Sequence, residues 1–198
     1  MDIIDYINEK DTPESKTPTY ERCVLPYIKD FIKIDFFEDE LIPIREFSKK
    51  VIKEKMKEEH YQKDYGSLEK RFFTGFLGEL ALSMILEDFK IDLSVGDSFD
   101  FNFPDIKKYN LGIKTVEWGK FPLIHKKPKR KEVINLLDGN TIYVCGIASI
   151  ESMLKNSSDD LILSPNLRER NVKTGFYGFK DLRFLDKEKI YKKLNRGS

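Results

Sequence analysis

The chain has 198 residues, of which 40% are hydrophobic and 35% are charged, and its formal net charge is +1. This length and apolar content suffice for one domain with a sizeable core and exclude an intrinsically disordered chain. The two cysteines and two histidines lack the spacing of a zinc site. Because the N-terminus lacks a signal-peptide pattern and no apolar run is long enough to span a membrane, we expect a cytoplasmic protein without a membrane partner.

The N-terminal third of the chain predicts a helical extension. Residues 1–8 fit a short helix, and residues 20–37, which mix apolar side chains without a clear period, are assigned to helix. Pro43 favours a helix start, and apolar residues at spacings of three and four carry that helix to about residue 59. We therefore divide the chain into a helical extension, residues 1–65, and a core domain, residues 66–198.

The core domain predicts alternating helices and strands. Ser67 is a suitable N-cap for a helix over residues 68–89, and the period-two pattern that follows predicts three strands, at 91–95, 98–103 and 111–118. The basic run 126–131 is assigned to a short helix that continues to residue 137. Residues 141–148 predict a buried strand, and a last helix begins near residue 186. The fold class is therefore α/β, in the α+β sense of a mixed sheet.

Positive charge is concentrated in one segment. Residues 107–132 contain nine Lys or Arg and two acids, which gives this segment a charge of +7 and leaves the rest of the chain at −6. This asymmetry is typical of a face that binds phosphates, although a solvated lysine-rich surface is the alternative. The side chains that we expect to bind nucleic acid are Lys120, Lys126, Lys127, Lys129, Arg130 and Lys131, and Trp118, Phe121 and His125 are candidates for contact with bases.

Three polar side chains stand out among the predicted elements. Glu79 lies on a mostly apolar helix face, where an unpaired carboxylate is costly. If a hairpin centred near Lys107 joins the second and third strands, position 100 pairs with position 114, so Asp100 faces Lys114 across the ladder. Structural ion pairs are the alternative explanation for all three residues.

A helix with Gly78-Glu79, a strand with Asp100 and a strand with Ile113-Lys114 resemble the PD-(D/E)XK nucleases, the restriction-endonuclease-like superfamily. The resemblance covers about residues 67–149 and implies an αβββαβ core. It also implies a catalytic set of Glu79, Asp100 and Lys114. The implied ligands of Mg²⁺, which Mn²⁺ replaces in some members, are Asp100, Glu79 and the Ile113 carbonyl, while Lys114 orients the attacking water.

The chain departs from this family at one position. Gly112 stands two residues before Lys114, where the family has Asp or Glu. Glu79 is a candidate substitute, whereas strand alternation places Glu117 on the face opposite Lys114. The Pro104-Asp105 pair is an alternative source of the strand carboxylate, but the predicted hairpin leaves Asp105 in its turn, so we prefer Asp100.

The sequence thus predicts a metal-dependent endonuclease of double-stranded DNA, with a type II restriction enzyme as one candidate. Cleavage of both strands ordinarily requires two active sites, which favours a homodimer. Two alternatives stay open. The same fold without cleavage is a nucleic-acid-binding or assembly module, as Gly112 suggests, and an unrelated α/β protein would carry the basic segment only as surface.

Overall fold

A computed structural model describes residues 7, 11–12, 15–56, 65–91, 93 and 103–194 of the chain. Its helices are α1 (Thr17–Cys23), α2 (Glu38–Lys55), α3 (Tyr65–Ile85), α4 (Ile150–Lys155), α5 (Pro165–Glu169) and α6 (Lys187–Leu194). Its strands are β1 (Ile32–Asp35), β2 (Leu111–Glu117), β3 (Leu123–His125), β4 (Lys131–Asp138), β5 (Thr141–Ala148), β6 (Ser157–Ser158) and β7 (Lys173–Phe176). Helices and a mixed sheet together define an α+β fold.

The main sheet has the strand order β1-β5-β4-β2. β4 and β5 form an antiparallel hairpin, β1 pairs antiparallel with β5, and β2 runs parallel to β4. A second, three-stranded sheet has the order β3-β7-β6. The parallel pairing of β2 with β4 requires a crossover, which residues 118–130 supply, and β3 lies within this crossover.

The two faces of the main sheet bury two different hydrophobic clusters. One face packs against α2 and α3, where Leu77 and Leu82 of α3 join Leu111 of β2 and Val133 of β4. On the other face, Ile134 and Leu136 of β4 pack with residues of the second sheet and its connections, including Phe121, Ile124 and Phe176. Side chains of a strand alternate between faces, so successive residues of β2 and β4 belong to opposite clusters.

Several predicted elements are confirmed. The strands expected at 111–118 and 141–148 are β2 and β5, and the helix expected near residue 186 is α6. The helix expected at 68–89 is α3, but it begins at Tyr65 and ends at Ile85, so Ser67 lies inside the helix and is not its N-cap. The helix expected from Pro43 is α2, which begins at Glu38, so Pro43 lies inside it. The predicted helix at 1–8 and the predicted strands at 91–95 and 98–103 lie almost wholly outside the described residues.

The helix predicted from the basic run to residue 137 is wrong, because residues 131–138 form β4. Every residue from Glu132 to Leu137 is buried, so this strand is covered on both faces and shows no apolar-polar alternation. The helix predicted over 20–37 is wrong at its end, where β1 adds a strand to the main sheet. The segment that we assigned to a helical extension therefore contributes to the sheet as well.

Among the residues that the structure describes, no helix combines the length and apolar character that a membrane span needs.

Candidate active site

Gly112 of β2 and Glu132 of β4 are direct partners in the parallel ladder. Glu132 is only 8% exposed. A Cβ atom on residue 112 would lie 2.0 Å from Glu132 Oε2, a distance that no real contact allows. Glycine at position 112 therefore leaves the space that the Glu132 carboxylate occupies.

Lys114 lies on the same face of β2 as Gly112, two residues further along the strand. Its Nζ is 3.9 Å from Glu132 Oε2, within ion-pair range but beyond hydrogen-bond length. Glu132 Oε2 is buried and has no hydrogen-bond partner among the described residues. The site thus holds a buried carboxylate oxygen, Glu132 Oε2, that accepts no hydrogen bond from the described residues, and a lysine lies nearby.

Asp105 reaches the same part of β2 from the preceding turn. Its Oδ2 accepts a hydrogen bond from the backbone N–H of Ile113 at 2.6 Å. Burial raises the pKa of Glu132, the positive charge of Lys114 opposes that rise, and the negative charge of Asp105 adds to it. Two carboxylates therefore act on one another beside Lys114, an arrangement that a cation would stabilise.

The register of this hairpin explains why Asp105 reaches β2. The sequence predicts that residues 104 and 110 pair, whereas the structure pairs Ile106 with Leu111. This difference moves the partners of β2 by three positions and brings Asp105 beside Gly112. Asp100 lies outside the described residues, so its pairing with Lys114 stays a prediction.

Glu79 lies on α3, which packs against the opposite face of β2. A Cβ atom on Gly78 would lie 1.8 Å from Thr115 Oγ1 and 3.0 Å from Asn135 Nδ2, so the helix approaches the sheet closely at this point. Thr115 alternates with Lys114 along the strand. The helix of Glu79 and the Lys114 side chain are therefore on different sides of β2, and a shared role for them stays a prediction.

The predicted nucleic-acid-binding residues fall into different environments. Lys126 Nζ binds Asp159 and Asn171, and Lys120 Nζ binds Glu117. Lys131 alternates with Glu132 and so lies on the α3 side of β4. The other three members of the set, Lys127, Lys129 and Arg130, lie in the segment before β4, the first two exposed and the third half-buried.

His125 at the end of β3 lies among cations from three parts of the chain. It pairs in register with Lys173 of β7. Partial burial lowers the pKa of His125, and the positive charges of neighbouring side chains lower it further; in order of effect these are Lys173, Lys114, Arg130 and Lys129. One of the four, Lys114, is also within ion-pair range of Glu132.

Sequence reasoning missed Glu132 and placed Asp105 second. Glu132 starts an apolar run that was assigned to helix, so its partner Gly112 was not recognised. The absence of an acid at position 112 was the available signal for Glu132. A site with two carboxylates that lacks one at this position needs its second carboxylate from another part of the chain. Asp105, Glu132 and the Ile113 carbonyl are oxygen donors of the type that Mg²⁺ prefers, and the unused Glu132 Oε2 fits such an ion.

In this assignment only two side chains, those of Asp105 and Glu132, are metal ligands. Among the described residues, no three His, Cys, Asp or Glu side chains form a group that could hold a metal ion. Mg²⁺ commonly binds through one or two carboxylates and retains several waters, so a pair is sufficient. Comparison with known protein families, curated proteins and solved structures gave no match.

Proposed function

We propose that this protein is a Mg²⁺-dependent endonuclease that hydrolyses phosphodiester bonds of double-stranded DNA, with Asp105, Glu132 and Lys114 as its catalytic set. The observation that carries the proposal is the buried Glu132 carboxylate, held over Gly112 and beside Lys114. Glu132 then supplies from β4 the acid that the PD-(D/E)XK pattern has at position 112. The restriction-endonuclease-like fold remains part of this proposal.

The residues divide the work of hydrolysis between them. Asp105 and Glu132 would hold the metal, with the Ile113 carbonyl as a further oxygen donor. When bound, Mg²⁺ would supply positive charge that activates a water and stabilises the negative charge that develops on the phosphoryl oxygens. Lys114 orients the attacking water through its ammonium, and its positive charge favours the approach of the phosphate. The basic segment contributes affinity that decreases with salt.

The test is cleavage of supercoiled plasmid and of an end-labelled duplex in Mg²⁺, in Mn²⁺ and in EDTA. We expect Glu132→Gln, Asp105→Asn and Lys114→Ala each to lower the rate by about 100-fold. Lys33→Ala is the matched control, because Lys33 lies on β1 at the far edge of the sheet and pairs with Asp35. Metal-dependent cleavage that is equal in all four variants would reject the proposed catalytic set.

Asp100→Asn distinguishes the two possible sources of the strand carboxylate. If Asp105 is the ligand, Asp100→Asn retains most of the activity that Asp105→Asn loses. The reverse result would restore Asp100, the residue that the sequence favoured. Metal binding gives a second readout, since Mg²⁺ should raise the melting temperature of the wild type but not of Glu132→Gln.

A nucleic-acid-binding module without cleavage is the second candidate. Gly112 favours it, because the family acid is absent from β2. Under this reading Lys114 and Glu132 form only a structural ion pair. The protein would then bind duplex DNA with a marked salt dependence while showing neither cleavage nor a melting-temperature shift with Mg²⁺.

A further inference from the structure

A pocket opens on the helical side of the main sheet, on the face opposite Gly112 and Glu132. It lies between the C-terminal end of α3 and the first residues of β2 and β4, and its volume of about 620 Å³ is ordinary for a small-molecule site. Six of its lining side chains belong to the cluster that packs against α2 and α3, and all are aliphatic: Leu82, Leu86, Leu111, Val133, Ile147 and Leu185. Such a wall is suited to an aliphatic group of a ligand.

Two cationic side chains, Lys131 and Arg183, line the same pocket. Lys131 begins β4 and lies on its helical side. Arg183 pairs with Ile147 of β5 through two backbone hydrogen bonds, each of 3.0 Å. Leu182 and Phe184 belong to the cluster on the other face, so the Arg183 side chain between them also projects to the helical side. The two cations therefore lie on one face of the sheet.

The register of the strands sets the distance between the two cations. Val133 of β4 pairs with Ile147 of β5, and Ile147 pairs in turn with Arg183. Lys131 precedes Val133 by two residues, so two strand spacings and two residues separate the backbones of the cations, roughly 12 Å. A long side chain from each side can reach one small anion between them. Gly146 permits this arrangement, since a Cβ atom there would lie 2.8 Å from the Arg183 carbonyl oxygen.

Neither cation has a partner in the described part of the chain. The side chains of Lys131 and Arg183 form no ion pair or hydrogen bond with another described residue. Asp186 is the one acid among the described lining residues, and its Oδ1 accepts a hydrogen bond from the backbone N–H of Lys189 at 3.1 Å. The lining thus has an excess of one positive charge. A carboxylate, with its single negative charge, matches that excess better than a phosphate monoester, which carries nearly two.

We propose that this pocket binds a small aliphatic carboxylate, with its chain against the apolar wall and its head group between Lys131 and Arg183. The guanidinium of Arg183 is able to hold both carboxylate oxygens through two parallel hydrogen bonds, which places the head group at the rim. This site goes beyond the proposed function and does not depend on it, because the pocket and the candidate active site lie on opposite faces of the sheet.

Isothermal titration calorimetry with octanoate at pH 7 tests the site. We expect octanoate to bind with a negative heat-capacity change, because its chain leaves water for the apolar wall. Acetate has the same head group without the chain, and octylamine has the chain with a positive head group. Both should bind at least about tenfold more weakly than octanoate. Octanoate that does not bind, or octylamine that binds as tightly, would overturn the inference.

Charge variants identify the site of the head group. Arg183→Gln and Lys131→Gln should each weaken octanoate binding by about tenfold, since each removes a charge-assisted hydrogen bond. Lys50→Gln on α2 is the matched control and should leave binding unchanged. The neighbouring Lys49 is within ion-pair range of Glu69 near the start of α3, whereas the pocket lies at the other end of that helix. Equal affinities in all three variants would contradict the proposed head-group site.

Leu185→Trp tests the apolar part of the pocket. The larger side chain should fill the pocket and abolish octanoate binding, while the circular dichroism spectrum stays that of the wild type. Full affinity in the folded variant would overturn the inference. The two charge variants, whose side chains are exposed, provide the test if Leu185→Trp does not fold.

Two other occupants would each overturn the inference. If octanoate does not bind and Leu185→Trp dissociates a dimer seen by sedimentation equilibrium, the pocket is an interface between two copies of the chain. If octanoate does not bind and a tetrathymidylate without terminal phosphates loses affinity in Arg183→Gln, the two cations bind a nucleic-acid strand. Octanoate binding without DNA cleavage would reject only the endonuclease, whereas cleavage without octanoate binding would reject only this pocket.

Discussion

A glycine lies at each face of the β2–β4 pair, and the two glycines have different effects. On the helical face, Gly78 lets α3 approach the polar side chains of Thr115 and Asn135. On the other face, Gly112 makes room for the buried carboxylate of Glu132. The absence of a side chain at Gly78 thus allows close packing, whereas its absence at Gly112 makes room for a carboxylate that a Cβ atom would displace. The comparison separates a face that packs against helices from a face that buries a carboxylate beside a lysine.

The strongest test of this comparison moves the carboxylate from one strand to the other. We expect Gly112→Asp alone to abolish metal-dependent cleavage, because two acids cannot share the space that one occupies. Gly112→Asp combined with Glu132→Ala should recover part of the activity, measured as plasmid cleavage rate in Mg²⁺. If the double variant is no more active than the single one, the two positions are not equivalent.

On the helical face, Gly78→Ala should lower the free energy of unfolding by about 1–3 kcal/mol, since its Cβ would overlap Thr115 Oγ1. Gly75→Ala is the matched control on the same helix. A Cβ there meets nothing within 4 Å, so better helix propensity should raise stability by up to about 1 kcal/mol. Urea unfolding measures both changes, and equal effects would contradict the close approach at Gly78.

Glu132 also predicts a pH dependence. Because burial raises its pKa, the folded protein retains this proton at pH values where the unfolded chain has lost it. Stability therefore falls as the pH rises from about 4 through the raised folded pKa. Without metal, Glu132→Gln should be about 1 kcal/mol more stable than wild type at pH 7, because Gln avoids the cost of ionising a buried carboxyl group.

That difference should shrink as the pH falls below about 4, where both the folded and the unfolded wild type become protonated at Glu132. Thermal unfolding at both pH values in EDTA provides the measurement. A variant that is less stable than wild type at pH 7 would mean that the ion pair with Lys114 outweighs the cost of burial.

The smallest effect is expected at Lys126. Because the ion pair of Lys126 with Asp159 is partly exposed, Lys126→Ala should lower the free energy of unfolding by about 1 kcal/mol or less. Because Asp159 already binds this lysine, the salt slope of DNA binding should change little, whereas Lys129→Ala should reduce it by about 1. An equal reduction in both variants would show that the ion pair opens when DNA binds.

Local pattern was sufficient for α3, β2 and β5, whose apolar residues are regularly spaced. It was insufficient for β4, because a strand that is buried on both faces loses its period. The motif led us to predict Lys114 as a site residue, whereas it gave no reason to consider Glu132, since the position of Glu132 beside Gly112 depends on the parallel pairing of β2 with β4. Asp105 was placed correctly in a turn and then rejected, because the pairing of Ile106 with Leu111 is a property of the turn geometry that residue spacing does not determine.

Positions 112 and 132 are far apart in sequence, but their in-register pairing places both next to the same volume of the folded protein. An acidic side chain at either position would place its oxygens in this volume, provided that the residue at the other position is small. Spacing along one strand is then not the only arrangement that brings an acid close to Lys114. Searches for such sites should therefore score positions across a ladder jointly, treating laterally adjacent residues as alternatives for one role.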